Sequence, residues 1–325
     1  MRKVYFNGNF VDESEAKISI FDSALMFGDM VFEMTRSFNK KQFKLKEHID
    51  RLYMGIKILR IPIDMTPKEM EEACYKTIEI NDPYFDEHDE HRLMIDVSRG
   101  LLGIYHNIDN LHKGSNVIIA DFPLKWTVRG MGGLFKKGIN AVITSQRAIP
   151  GYLLDPKIKN RSRLHYLMAN IEASQFTGDD NWALMLDPDG YVAEGTGDNF
   201  FIIKNGTILT PKGKNILRGI SRDYVLNQLS SDLGIPAYES DIEAYDIYNC
   251  DEAFMTGTPF CMLPVVSING LPIGDGKVGK VFSKILQQWS NNINVNISEQ
   301  IQTWDQENNQ EKNNSPTPYS FKKNK

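Results

Sequence analysis

The sequence predicts a two-domain α+β chain, with a smaller N-terminal unit and a larger second unit of strands and helices. Three observations lead there. At 325 residues the chain exceeds what one core usually organises. Short apolar runs are joined by Asn-Gly and Asp-Pro-Asp-Gly turns in both halves. Between them lie stretches whose apolar residues recur at three- and four-residue steps, the period of a half-buried helix.

In chain order, Val4-Tyr5-Phe6, Asn7-Gly8 and Phe10-Val11 read as a hairpin, and residues 31–38 and 42–45 as a second. Ile49, Leu52, Tyr53, Ile56 and Leu59 mark a helix. Thr66 before Pro67 is a cap followed by proline at the first helical position, opening a helix to about residue 80. Strands at 93–97 and 117–122 complete a small domain, 1–123. Residues 124–134 contain Arg129-Gly130-Met131-Gly132-Gly133 and read as an interdomain linker, because no strand-to-helix context makes those glycines a phosphate loop.

The large domain, 135–293, opens with a strand at 139–144. A helix at 164–176 follows, with Leu164, Leu167, Met168 and Ile171 on one face. Hairpins turn at Asp187-Pro188-Asp189-Gly190 and Asn205-Gly206. A helix at 221–233 and strands near 252–255 and 265–268 complete it. The run 274–280 imitates a nucleotide loop, but Val281 stands where Ser or Thr must hold magnesium, so it reads as a turn before the last helix. Residues 294–325 are polar and are expected to form a tail without packed structure.

Composition narrows the function. A net charge of −5 gives no reason to expect nucleic acid or an acidic membrane as partner. No stretch reaches the roughly 20 apolar residues of a membrane span, and the opening residues lack a signal-peptide core, so a cytoplasmic location is expected. Cys74, Cys250 and Cys261 are far apart and in no ligand spacing, which fits reduced thiols. Asp86-Glu87-His88-Asp89-Glu90-His91 reads as an acidic surface loop, and no metal is expected.

The chemistry starts from Lys159 and Glu194. A lysine amine forms a Schiff base with an aldehyde cofactor. A buried carboxylate keeps a pyridine nitrogen protonated, and pyridoxal 5′-phosphate (PLP) needs both. The segments Lys159-Asn160-Arg161-Ser162-Arg163-Leu164-His165-Tyr166 and Ala193-Glu194-Gly195-Thr196-Gly197-Asp198-Asn199, with Leu217-Arg218-Gly219-Ile220-Ser221, Met255-Thr256-Gly257-Thr258-Pro259 and Glu47-His48-Ile49-Asp50-Arg51, resemble in order the blocks of fold-type IV PLP enzymes, the class IV aminotransferases.

That resemblance, running from about residue 3 to 290, implies a larger C-terminal domain of mixed β-sheet or barrel with helices. It implies Lys159, rather than Lys157, as the Schiff-base lysine, since the family places it thirteen residues before a Glu-Ala pair, here Glu172-Ala173. Glu194 would face the pyridine nitrogen. The phosphate would be held by Arg51, Thr258 and the N–H groups of Ile220 and Ser221, where a helix start suits an anion. A homodimer and small-molecule amino-acid and 2-oxo-acid substrates are implied as well.

Three branches of the family share parts of the chain. Aminodeoxychorismate lyases resemble Val97-Ser98-Arg99-Gly100-Leu101-Leu102-Gly103-Ile104-Tyr105, but have a threonine where this chain has Met34. D-amino-acid transaminases share His106, yet their carboxylate-binding arginine is Ile104 here and their active-site tyrosine is Phe32. Branched-chain aminotransferases share Val31-Phe32-Glu33 and the Glu194 block, although Met34 replaces their glycine and their Arg-Pro pair near Arg92 is incomplete. The branched-chain reading is preferred, with the other two as alternatives; a non-catalytic PLP-fold protein would be expected to have lost Lys159 or Glu194. On this reading Phe32, Tyr105, His106 and Trp126 line the substrate pocket, and Arg99 is either a carboxylate partner or a structural ion pair.

Overall fold

Asn7 and Gly8 lie at φ 50° and 90°, conformations that Asn and Gly tolerate, and they turn strand Lys3–Phe6 into strand Asn9–Asp12. This hairpin edges a five-stranded antiparallel sheet in the order Asn9–Asp12, Lys3–Phe6, Asn116–Pro123, His91–Ser98, Met30–Met34. The structure, a computed structural model, describes residues 1–178, 180–307, 315, 317–319 and 321. Its contacts divide the chain into two units, one of Met1–Trp126 with Ile158–Arg163, the other of Thr127–Lys157 with Leu164–Lys325.

In the first unit, strand alternation sends Val31, Leu93, Ile95, Val97, Val117 and Ile119 to one sheet face. Helices Leu45–Leu59 and Pro67–Asn81 bury that face with Ile49, Leu52, Ile56, Met70 and Cys74. Thr66 opens the second helix with a reciprocal capping box to Glu69. The other face carries Phe32 and Met34 opposite Asp96 and Met94, with Arg92 one step further along. The second hairpin is shorter than the sequence suggested: only Ser37–Phe38 and Lys41–Gln42 pair, and Leu45 already begins a helix.

The Lys159 segment corrects the expected boundaries. Residues 158–163, placed by sequence in the larger domain, pack with the first unit. Ile158 is buried in its core, the Phe32 N–H donates to the Lys159 carbonyl at 2.9 Å, and Val31 pairs with Asn160.

The second unit is built on a six-stranded closed ring: Val192–Gly195, Asn181–Leu186, Ile139–Ile143, Cys261–Ile268, Glu252–Gly257 and Asn199–Lys204, closing through Glu194 and Asn199. Strands such as Asn199–Lys204 are buried on both faces, so they read as continuous apolar runs rather than alternating ones. Helix Leu164–Ala173 turns a different face inward from the one expected. Ala169, Asn170 and Ala173 are buried, whereas Leu164 and Met168 are exposed. The small side chains let the helix lie close to strand Asn181–Leu186.

Two segments, one read as a linker and one as a tail, are more ordered than the sequence suggests. Within 124–134, the side chains of Leu124, Val128, Met131 and Leu134 are buried, so this stretch is no solvated tether. The expected tail begins with a helix, Ile297–Gln306, capped by Asn296 and seated by buried Ile297, Ile301 and Trp304. Those three residues share one face, and the polar majority hides that period. Residues 308–314 of the tail, and most beyond them, lie outside the described residues.

The glycine run does hold an anion, but one from its own chain: the Asp305 carboxylate accepts the Gly130 and Gly132 N–H groups. A Cβ at Gly132 would lie 2.6 Å from Asp305 Oδ2 and 2.8 Å from Gln302 Cα. Gly132→Ala is therefore expected to destabilise the protein by about 1–3 kcal/mol, measured as a lower thermal midpoint; an unchanged midpoint would show that the clasp contributes nothing. Similarly, the helix after the 274–280 run is capped by Glu252, which accepts the Val281 and Phe282 N–H groups at 2.9 and 2.7 Å. No described helix is long and apolar enough to cross a membrane.

Candidate active site

The first unit contributes two clusters. Glu33 projects from Met30–Met34 into the face covered by helix Leu45–Leu59, where His48 and Arg51 stand one turn apart. Arg51 grips Glu33 with two nitrogens, Nε to Oε1 at 2.6 Å and Nη2 to Oε2 at 2.8 Å. His48 Nδ1 lies 2.8 Å from the same Oε2. Burial opposes charge on Glu33, yet Arg51 and His48 outweigh it and hold the carboxyl well below its usual range. Burial, aided by Arg51 and Lys159, lowers the His48 pKa despite Glu33.

Both groups bind fewer protons folded than unfolded near their titrations, so their stabilisation is present above the unfolded values and lost as pH falls. The contribution of this cluster to thermal stability should decline through about pH 6.5, where unfolded histidine takes protons, and further through about 4.3, where glutamate does. In His48→Gln the upper part of that decline is expected to vanish in pH-dependent melting; a curve matching wild type would remove His48 as its source.

The second cluster surrounds Phe32 on the opposite sheet face. Lys159 Nζ lies 4.8 Å from the ring centroid, Arg161 Cζ 3.7 Å and Arg163 Cζ 5.7 Å. Arg161 is fixed by Asp96, donating from Nε and Nη2 to Oδ1 at 3.1 and 2.9 Å. Burial raises the Asp96 carboxyl, although Arg161 opposes this. Arg92 is buried on the same face, with Nη2 3.6 Å from Met34 Sδ. Its Nε and Nη1 have no hydrogen-bond partner among the described residues. Burial, with Arg36 and Arg161 adding repulsion, pushes its guanidinium down to about 9. A buried cation with two idle donors is costly unless an anion completes it.

In the second unit Glu194 stands at the seam of the ring, buried, and both of its oxygens are engaged. Tyr166 Oη donates to Oε1 at 2.9 Å; Asn199 Nδ2 and the Leu217 N–H donate to Oε2 at 3.1 and 2.9 Å. Asn199 also donates to the Leu217 carbonyl, tying the carboxylate to the loop before Ile220. The helix beginning at Ile220 has Gly219 as its N-cap, with no side-chain cap. Its first N–H groups have no intrahelical acceptor and suit an anion. Thr258 opens the turn after strand Glu252–Gly257, and buried Thr256 has no partner for Oγ1 among the described residues. A Cβ at Gly195 would collide with the Asp198 carboxylate, so the turn favours glycine there.

The remaining predicted pocket residues make contacts of their own. Arg99, read as either a carboxylate partner or a structural ion pair, donates from Nε and Nη2 to Asp29 and from Nη1 and Nη2 to the Arg60 and Leu59 carbonyls, so in this structure it forms the ion pair. Tyr105 stacks on Phe21 at 5.0 Å, and His106 Nε2 is 3.1 Å from the Leu101 carbonyl. Trp126 stacks on Phe122 beneath the Arg2 guanidinium, 4.6 Å from its ring.

Comparison with known proteins bears on the lysine of the first unit and on the carboxylate and helix start of the second. A signature described as amino-transferase class IV matches residues 30–268. The chain belongs to the class IV aminotransferases. Among relatives of this aminotransferase, a Methanocaldococcus jannaschii protein provisionally named branched-chain-amino-acid aminotransferase is 38% identical over 88% of this chain and 95% of its own. The Escherichia coli branched-chain amino acid aminotransferase superposes with a TM-score of 0.80 at 30% identity, covering 89% of this chain and 94% of that one. The T.th. branched-chain amino acid aminotransferase complexed with N-(5′-phosphopyridoxyl)-L-glutamate gives 0.76 at 29% identity, covering 93% and 97%.

Sequence reasoning gave no role to several residues that contact the candidate ones: Glu33 and His48 beside Arg51, Tyr166 and Asn199 beside Glu194, and Arg92 beside Met34. Alternation along His91–Ser98 could have placed Arg92 and Asp96 on one face, but the pairing that sets them opposite Phe122 and Phe32 is long-range.

Proposed function

We propose that this chain is a PLP-dependent branched-chain-type aminotransferase that moves an amino group from an apolar L-amino acid to a 2-oxo acid such as 2-oxoglutarate. The observation that carries the substrate choice is the Phe32 face. Phe32 and Met34 offer apolar surface to a hydrocarbon side chain, while buried Arg92 beside Met34 has two nitrogens in need of an anion. One surface can thus serve a branched hydrocarbon in one half of the cycle and a distal carboxylate in the other.

The residues fit the cofactor on their own chemistry. Glu194, held as an acceptor by Tyr166, Asn199 and the Leu217 N–H, would hold a protonated pyridine nitrogen. The Ile220 and Ser221 N–H groups, Thr258 and Arg51 would hold the phosphate. When bound, PLP supplies an aldehyde for the amine and a ring that accepts the electron pair released at Cα. Lys159 would hold the cofactor aldehyde, and its amine would move the Cα proton as base and then acid. Phe32 lies beneath its amine. We read the enzyme as a cytoplasmic homodimer.

The test is a single-turnover panel on PLP-loaded protein with L-leucine, L-glutamate, D-alanine, D-glutamate, a primary amine and aminodeoxychorismate. Conversion of the cofactor spectrum to the pyridoxamine form is expected with L-leucine and L-glutamate. Conversion by D-alanine but not L-leucine would overturn the substrate class, and pyruvate release from aminodeoxychorismate would overturn the reaction.

A further inference from the structure

Glu33 is an unusual residue for its place. It occupies a core-facing position of Met30–Met34, flanked by Val31 on the same face, and is fully buried. A carboxylate there is tolerated only if paired. Its partners come from one helix face, His48 and Arg51 at i and i+3, so a single carboxylate spans one helical turn.

The fork between Glu33 and Arg51 fixes the plane of the guanidinium, because two parallel N–H donors meet two oxygens. His48, wholly buried, fixes the carboxylate in turn through Oε2. Phe32, next along the strand, donates its N–H to the Lys159 carbonyl, so Met30–Met34 holds Lys159 by its backbone and Arg51 by its side chain. The strand acts as a ruler between the residue assigned to the cofactor aldehyde and the one assigned to its phosphate.

We propose that Glu33, keyed by His48, is the positioning residue that sets the Arg51 guanidinium for the cofactor phosphate. This rests on the reading of Arg51 as a phosphate-binding residue, so the experiment separates the two. Dissociation constants for PLP and for pyridoxal, which lacks the phosphate, are measured on the full chain for wild type, Glu33→Gln, His48→Gln and Arg51→Gln. Glu33→Gln should weaken PLP about tenfold, the factor that loss of a charge-assisted hydrogen bond brings, and leave pyridoxal within about twofold.

His48→Gln should show the same phosphate-selective loss at about threefold, smaller because the ion pair survives; it decides the matter if Glu33→Gln does not fold. Equal losses for both ligands would reduce Glu33 to a structural ion pair and overturn the proposal. So would unchanged PLP affinity. A phosphate-selective loss in Arg51→Gln with none in Glu33→Gln or His48→Gln sinks the positioning role alone. No selective loss in Arg51→Gln sinks the Arg51 reading, and the proposal with it.

Discussion

Lys159→Ala is expected to lower transamination by about 10³-fold or more, because it removes both the group that holds the cofactor aldehyde and the proton carrier, the latter alone worth roughly 10²–10⁴. The sharper readout is covalent. Borohydride treatment of wild-type protein should fix the cofactor to the chain through denaturation, and the variant should retain none. Lys157 is the natural control, two residues away in the same basic stretch. Its amine is tied to Asp155 at 2.7 Å and to the Lys214 carbonyl at 3.1 Å, on the second unit. Lys159 instead belongs to the first unit, over Phe32, with its own carbonyl receiving the Phe32 N–H. Lys157→Ala should therefore keep activity within about twofold, as a substitution away from the reacting groups does. A cofactor adduct that persists in Lys159→Ala but is lost in Lys157→Ala would reverse the assignment.

That contrast also shows what a sequence can and cannot reveal here. The hairpins at Asn7-Gly8 and Asn205-Gly206 and the Thr66 cap were readable, because a turn or cap is a local bargain between a few residues. The Glu194 block was recognised by its resemblance to the family rather than by local rules, although in the structure it too is compact, a strand, a tight turn and a strand. The packing of residues 158–163 was not. It depends on Val31 meeting Asn160 across more than a hundred residues, and no local preference encodes that.

The polar segments misled for a different reason. Composition averages over a helix, so Ile297, Ile301 and Trp304 disappear among glutamines and asparagines although their spacing is helical. Arg99 stayed ambiguous in the sequence because an arginine beside a suggestive motif can equally clasp carbonyls, and its contacts to Leu59, Arg60 and Asp29 are long-range.

Arg92→Met is expected to separate the two substrates of the cycle and to stabilise the protein while doing so. Arg92 is buried, with Nε and Nη1 unpartnered among the described residues, and is flanked by Arg36 and Arg161, whose repulsion helps lower its pKa to about 9. A group in that state is unfavourable in the ligand-free fold, by roughly 1–3 kcal/mol for its unsatisfied donors. An unbranched methionine beside Met34 removes that penalty and retains much of the volume, so the thermal midpoint should rise. The same change removes the buried donors that this face offers to a distal carboxylate. Reaction with L-glutamate and 2-oxoglutarate should then lose about 10- to 100-fold in kcat/KM, the worth of a charge-assisted contact, chiefly through KM. L-Leucine should react within about threefold of wild type, since its side chain asks only for apolar surface from Phe32 and Met34. Steady-state kinetics with the two amino acids, paired with a melting curve, checks both halves. Equal losses for leucine and glutamate would make Arg92 a structural element of the sheet, and a lower midpoint would mean that its nitrogens are satisfied in solution. A gain in stability together with a selective loss of the acidic substrate is the outcome that a buried cation kept for its ligand requires.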